Sequence, residues 1–129
     1  MTLLYDVFVN GKPKAQPRPK AAHINGYTRM YTPETAKEWR LLIKNTFLCE
    51  RSVQITGPCK VDVDFYFKGK IKGFFKSRPD IDNLAKAVFD ALTEIGIWKD
   101  DSLICDSQLR KYSGKVEGAR IKIYSLITE

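Results

Sequence analysis

Lys60-Val61-Asp62-Val63-Asp64-Phe65-Tyr66-Phe67 alternates apolar and polar side chains without a break. Successive side chains of a strand point to opposite faces, so Val61, Val63, Phe65 and Phe67 share one face and Asp62, Asp64 and Tyr66 the other. Residues 60–67 therefore predict a half-buried strand, one side on a core and the other solvated. Downstream, Ile81, Leu84, Ala85, Val88, Leu92 and Ile95 recur at helical spacing, which predicts an amphipathic helix over residues 82–94 closed by Gly96. Upstream, Trp39, Leu42, Ile43 and Phe47 predict a second helix over residues 33–49, with Thr32 as N-cap and Pro33 in its first position. Asn25-Gly26 is a hairpin turn signal between His23-Ile24 and Tyr27-Thr28. Residues 3–9 suit an edge strand, and residues 10–20, with three prolines, an extended basic loop. Two further strands fit residues 102–111 and 119–127. Helices and strands are interspersed without strict alternation. The fold class expected is α+β: a single small domain over residues 1–129, a mixed or antiparallel sheet with two helices packed on it.

A length of 129 residues suits one domain with a real core. Hydrophobic residues at 43% and charged residues at 29% exclude a disordered chain, and no apolar run is long enough to span a bilayer. The first residues, Met1 to Asp6, lack the basic and apolar regions of a signal peptide. Three cysteines, Cys49, Cys59 and Cys105, form no CxxC pair. They point away from zinc and disulfide frameworks and toward a reducing cytoplasm, with each thiol a small buried hydrophobe. There is no P-loop, GxGxxG or nucleophile elbow, so neither a nucleotide cofactor nor serine hydrolase chemistry is expected.

The net charge is +7, and it is divided unevenly. Residues 1–79 carry 15 Lys/Arg against 6 Asp/Glu, whereas residues 80–129 carry 7 against 9. Lys68, Lys70, Lys72, Lys76 and Arg78 form a strip with no acid, and Asp80, Asp82, Asp90, Glu94, Asp100, Asp101 and Asp106 follow it. A basic body around an acidic centre suits an enzyme that holds a polyanion and works on it with metal ions.

The chemistry is concentrated in Arg78-Pro79-Asp80-Ile81-Asp82-Asn83-Leu84-Ala85-Lys86, then Phe89-Asp90-Ala91-Leu92 and Trp98-Lys99-Asp100-Asp101-Ser102. If residues 80–82 are extended, the Asp80 and Asp82 carboxylates project to the same side while Ile81 points inward. Lys86 lies one helical turn beyond Asp82, and Asp90 a further turn on. Several carboxylates suit Mg²⁺ or Mn²⁺ and do not suit zinc. In phosphodiester hydrolysis such a metal activates water and offsets charge, and a lysine alongside stabilises the transition state. Taken singly, Asp80 and Asp82 also suit helix capping, Lys86 an i+4 pair with Asp82, and Asp100-Asp101 a turn.

These residues resemble the RusA family of Holliday-junction resolvases over about 25 positions, through Asp-x-Asp-Asn-Leu-x-Lys and the downstream Asp-Asp. The resemblance implies a Mg²⁺-dependent endonuclease that resolves four-way DNA junctions as a homodimer, in a bacterial or prophage setting. It implies that Asp80, Asp82 and Asp101 are the catalytic, metal-binding carboxylates, with Asp100 a further candidate ligand, and that Lys86 is the catalytic lysine. The family's basic residue directly before the first Asp falls on Pro79, with Arg78 one position earlier.

The remaining expectations concern DNA. Lys68, Lys70, Lys72, Lys76 and Arg78 would contact phosphates, and Phe74 or Phe75 would stack on or wedge between bases at a branch point. Residues 12–20 are a candidate second arm, and His23, the only histidine, a hairpin or surface residue. Two related cuts in a four-way junction call for a two-fold dimer, with residues 33–49 and 119–127 as candidate interface. The competing reading is a non-catalytic branched or single-stranded DNA-binding module whose acids only cap helices.

Overall fold

The alternating segment is the central strand of the molecule. A computed structural model describes residues 1–17, 20–31 and 36–127. The strands are β1 (Thr2–Asn10), β2 (Lys20–Ile24), β3 (Tyr27–Tyr31), β4 (Cys59–Lys68), β5 (Gly73–Phe74), β6 (Ile104–Gly114) and β7 (Gly118–Ser125). The helices are α1 (Lys37–Glu50) and α2 (Ile81–Glu94), with a 3₁₀ turn at Asp101–Leu103. Five strands form one sheet in the order β1-β7-β4-β6-β5, and β2 and β3 form a separate hairpin. β4 runs antiparallel to β7 and parallel to β6. A parallel pair needs a long crossover, and here it contains β5 and α2. The sheet is mixed and the fold α+β.

Val61, Val63, Phe65 and Phe67 are buried, as the alternation requires. They join Tyr5, Val7 and Val9 of β1, Ala119, Ile121 and Ile123 of β7, and the inner sides of both helices in one core. Each such side chain contributes about 1.5–3 kcal/mol through burial. The opposite face of β4 is half-buried rather than simply solvated: Lys60 stands 3.6 Å from Asp62, and Arg110 3.5 Å from Asp64.

α1 buries Trp39, Ile43 and Phe47, a stripe spaced by four. Leu42 departs from expectation and is exposed, because it sits about 100° round the helix from Ile43. It lies over Gly11, where an added Cβ would come within 2.7 Å of its Cδ1. The helix begins at Lys37 with Ala36 as N-cap, and the expected cap at Thr32-Pro33 lies outside the described residues. Asn25 and Gly26 take positive φ of 51° and 81°, as the hairpin turn demands. Gly96 (φ 75°) ends α2, its N–H donating to the Thr93 carbonyl at 3.0 Å. β6 starts at Ile104 rather than residue 102, because the chain first coils through the 3₁₀ turn. β7 is paired along both edges, so it offers no free strand edge to a second subunit. No helix among the described residues is long and apolar enough to cross a membrane.

Candidate active site

The chain approaching α2 is held from the sheet. Lys111 of β6 donates from Nζ to the carbonyl oxygens of Ser77 and Pro79, at 2.7 and 2.8 Å. Asp80 follows as the α2 N-cap, with extended backbone (φ −70°, ψ 141°) and no capping hydrogen bond from its carboxylate. Asp82 is already within the first helical turn, and its Oδ1 accepts from the Asn83 N–H at 2.9 Å. The pair is therefore not one extended run: the chain turns helical at Ile81, and one acid precedes the helix while the other belongs to it. The positive end of the helix dipole favours negative charge at this place. The Gln16 N–H donates to the Asn83 carbonyl at 2.9 Å, and Arg40 donates to Gln16 Oε1 at 2.6 Å, which ties the loop of residues 11–17 to the start of α2.

Lys86 is paired with Asp90, Nζ to Oδ1 at 3.0 Å. The hydrogen bond to Asp90, reinforced by the charges of Asp90 and Asp101 against a desolvation cost, holds the Lys86 ammonium above the usual lysine range. Asp101 opens the 3₁₀ turn, which packs on α2. Asp100 is exposed, and the Ser102 hydroxyl beside it holds its carboxyl below the usual range. The four acids thus line the crossover from the start of α2 to the turn before β6. Among the described residues no three His, Cys, Asp or Glu stand close enough together to hold a metal ion, so Asp80, Asp82 and Asp101 are not gathered into one ligand set. In kind, the donors fit a hard divalent cation: all are carboxylate oxygens, and His23 is in the β2–β3 hairpin beside Thr28 Oγ1 at 3.2 Å.

A cleft of about 1090 Å³ opens at Asp80. Lys12 and Lys14 line it from the loop after β1, Lys68 from the end of β4 and Arg78 from the approach to α2. The two basic stretches, far apart in sequence, meet around the acidic helix start. Lys70, Lys72 and Lys76 are exposed but lie outside this cleft. The two phenylalanines separate: Phe74 is 78% exposed, whereas Phe75 stacks on Phe67 at 4.5 Å and packs on the core. Phe75 is not free to wedge between bases. Cys59 is buried, and burial pushes its thiol up to about 11, but Cys49 and Cys105 are exposed, contrary to the expectation of three buried thiols. Lys111 was not singled out in the sequence. It looks like any strand lysine until the fold sets it beneath Pro79.

The profile of the endodeoxyribonuclease RusA family matches residues 10–124, which include every candidate residue above. This chain belongs to the RusA family. A crossover junction endodeoxyribonuclease RusA of Escherichia coli O139:H28 is 31% identical over 99 residues, covering 74% of this chain and 72% of its own. The RusA of Escherichia coli K12 is 29% identical over 101 residues, covering 78% and 72%. The uncharacterised protein YqaN of Bacillus subtilis strain 168 is 33% identical over 120 residues, covering 81% and 84%. Membership of the RusA endodeoxyribonucleases makes this chain a DNA-cleaving hydrolase.

Proposed function

We propose that this chain resolves four-way Holliday junctions by paired, Mg²⁺-dependent phosphodiester hydrolysis, as a homodimer, in the cytoplasm of a bacterium or prophage host during DNA recombination and repair. The observation that carries the reading is the cleft, which Lys12, Lys14, Lys68 and Arg78 line together with Asp80 at a helix start and with Glu117. Such a cleft attracts the phosphate backbone and brings it to Asp80, the one candidate acid in its lining; Asp82, Asp100, Asp101 and Lys86 lie outside it. Arg78 lines it despite the proline that separates it from Asp80, which supports a DNA-contacting role.

Asp80, Asp82 and Asp101, with Asp100 alongside, would hold Mg²⁺, or Mn²⁺ in its place. When bound, the ion supplies an activated water and neutralises charge on the phosphate. The chain's own groups do the rest. Lys86, kept cationic by Asp90, stabilises charge developing at the reacting phosphate. Lys111 fixes the residues leading into Asp80. Lys70, Lys72 and Lys76 add backbone contacts outside the cleft. The relatives named crossover junction endodeoxyribonucleases support the junction as substrate. A four-way junction needs two symmetric cuts, and one chain carries one acidic set, hence the two-fold dimer.

The test is cleavage of a synthetic four-way junction with and without Mg²⁺, by the native protein and by Asp82→Asn. Metal-dependent cleavage that the variant loses while it still binds the junction is the expected result. A variant that cleaves like the native protein, or a native protein that only binds, favours the DNA-binding module. Sedimentation at micromolar concentration, alone and with junction DNA, decides the dimer, and a monomer in both removes it.

A further inference from the structure

The sheet face turned away from the helices carries a line of aromatic rings, none of which lines the cleft at Asp80. Phe8 of β1 tilts against Tyr66 of β4 at 6.0 Å. Tyr66 stacks on Tyr112 of β6 at 5.4 Å, and Tyr112 stacks on Phe74 of β5 at 5.3 Å. β7 lies between β1 and β4, and it lets Phe8 reach across through Gly118. A Cβ at Gly118 would stand 2.7 Å from the Phe8 ring and 2.3 Å from the Val9 carbonyl. At the other end β5 is the last strand of the sheet, and Phe74 is 78% exposed.

Beside this line opens a groove of about 760 Å³ that shares no lining residue with the cleft at Asp80. Tyr66, Tyr112 and Gly73 line it, and its charged residues are Lys70, Lys72 and Lys115, with no acid. Lys68 and Phe75 border the cleft, whereas Lys70 and Lys72 border the groove, so the loop after β4 serves both. Aromatic walls with a purely cationic rim complement a flat base attached to an anionic backbone. An apolar partner would leave three lysines without counter-charge, and a basic partner would be repelled.

We propose that this groove binds an unpaired nucleotide of a DNA strand. Its base packs on the Tyr66–Tyr112 part of the column, which Phe74 flanks from outside the groove's lining, and its phosphates lie against Lys70, Lys72 and Lys115. The inference rests on the reading of this chain as a DNA-cleaving enzyme. It adds a site for unpaired DNA on the far side of the loop from the acids. Stacking of this kind tolerates any base, so the groove recognises loss of pairing rather than sequence.

The test compares a fluorescein-labelled dodecathymidylate with a labelled duplex, by anisotropy, on the full chain. Phe74→Ala and Tyr112→Ala are each expected to weaken the single strand about ten-fold while the duplex changes little. Tyr112→Phe, which keeps the ring, is expected to bind like the native protein. Phe74 is exposed, so Phe74→Ala decides the matter even if Tyr112→Ala fails to fold. Unchanged single-strand binding in Phe74→Ala, or equal losses for both DNAs, overturns the groove and leaves the nuclease reading standing. A change in sedimentation without a change in single-strand affinity assigns the face to self-association and also overturns it. A native protein that binds neither DNA removes both readings.

Discussion

Lys111 Nζ donates a 2.8 Å hydrogen bond to the carbonyl oxygen of Pro79, the residue immediately before Asp80. With the companion bond to Ser77, at 2.7 Å, this fixes one side of the acidic helix start to the sheet. The lysine spans from β6, which is paired to β4, so the position of Asp80 depends on the register of the central strands. Lys111→Met is expected to cost about 1 kcal/mol of stability, the scale of a part-exposed hydrogen bond. It should lower junction cleavage by about ten-fold or more while binding changes little, because small misplacements of a reacting group are costly. Lys111→Arg should recover part of the loss. Equal losses in binding and cleavage would assign Lys111 to DNA contact instead.

Lys70, Lys72 and Lys76 are exposed on the loop after β4. Each lost phosphate contact should flatten the dependence of log K on log salt by up to about one unit. The triple alanine variant is thus expected to bind every DNA more weakly at low salt and to converge on the native protein as salt rises. Titrations at several salt concentrations measure this, and an unchanged slope would place the loop off the backbone.

Arg120 of β7 forms a two-pronged pair with Asp6 of β1, at 2.9 and 2.8 Å. These hydrogen bonds, chiefly, hold the Asp6 carboxyl below its usual range. A depressed carboxylate stabilises the fold above its unfolded pKa, about 3.9, and that contribution fades as pH falls through the folded value. Arg120→Ala is therefore expected to unfold at lower urea than the native protein at pH 7. The difference should shrink below about pH 4. Equal differences at both pH values would show that the pair contributes through packing rather than charge.

What the sequence disclosed follows from the range of each interaction. β4 was legible because Val61 to Phe67 repeats with a period of two, and the Asn25-Gly26 turn because its backbone demand is local. The Asp80 and Asp82 motif was legible as a string of residue types, but the change from extended to helical backbone at Ile81 was not. Leu42 was misplaced because the spacing Trp39-Leu42-Ile43 is satisfied by a broad stripe, whereas the sheet accepts only the narrow one through Ile43 and Phe47. Neither the meeting of Lys12 with Arg78 nor the ring line from Phe8 to Phe74 leaves a local trace. Both depend on strand order, which only long-range pairing sets.

In the proposed reaction Lys86 is the residue whose protonation state matters most. Its ammonium is bonded to Asp90 at 3.0 Å, and that bond, then the nearby charges, raises its pKa. A lysine with a raised folded pKa keeps its proton at neutral pH, and the pair's stabilising effect is complete below the unfolded lysine value, about 10.4. It is lost only as pH rises through the still higher folded value. If Lys86 serves the reaction as proposed, it does so as a cation rather than a general base, and between about pH 6 and 9 cleavage should show no limb from its titration. Asp90→Asn removes the leading cause of the shift, so the Lys86 pKa should fall toward the ordinary range, read by NMR titration of the lysine side chain. Lys86→Ala should retain junction binding and lose cleavage, and Lys86→Arg, which keeps the charge, should retain more activity than Lys86→Gln. A pH profile whose basic limb moves down in Asp90→Asn in step with the lysine titration would mean that the cation is required throughout. Activity that survives in Lys86→Gln would remove the lysine from the reaction altogether.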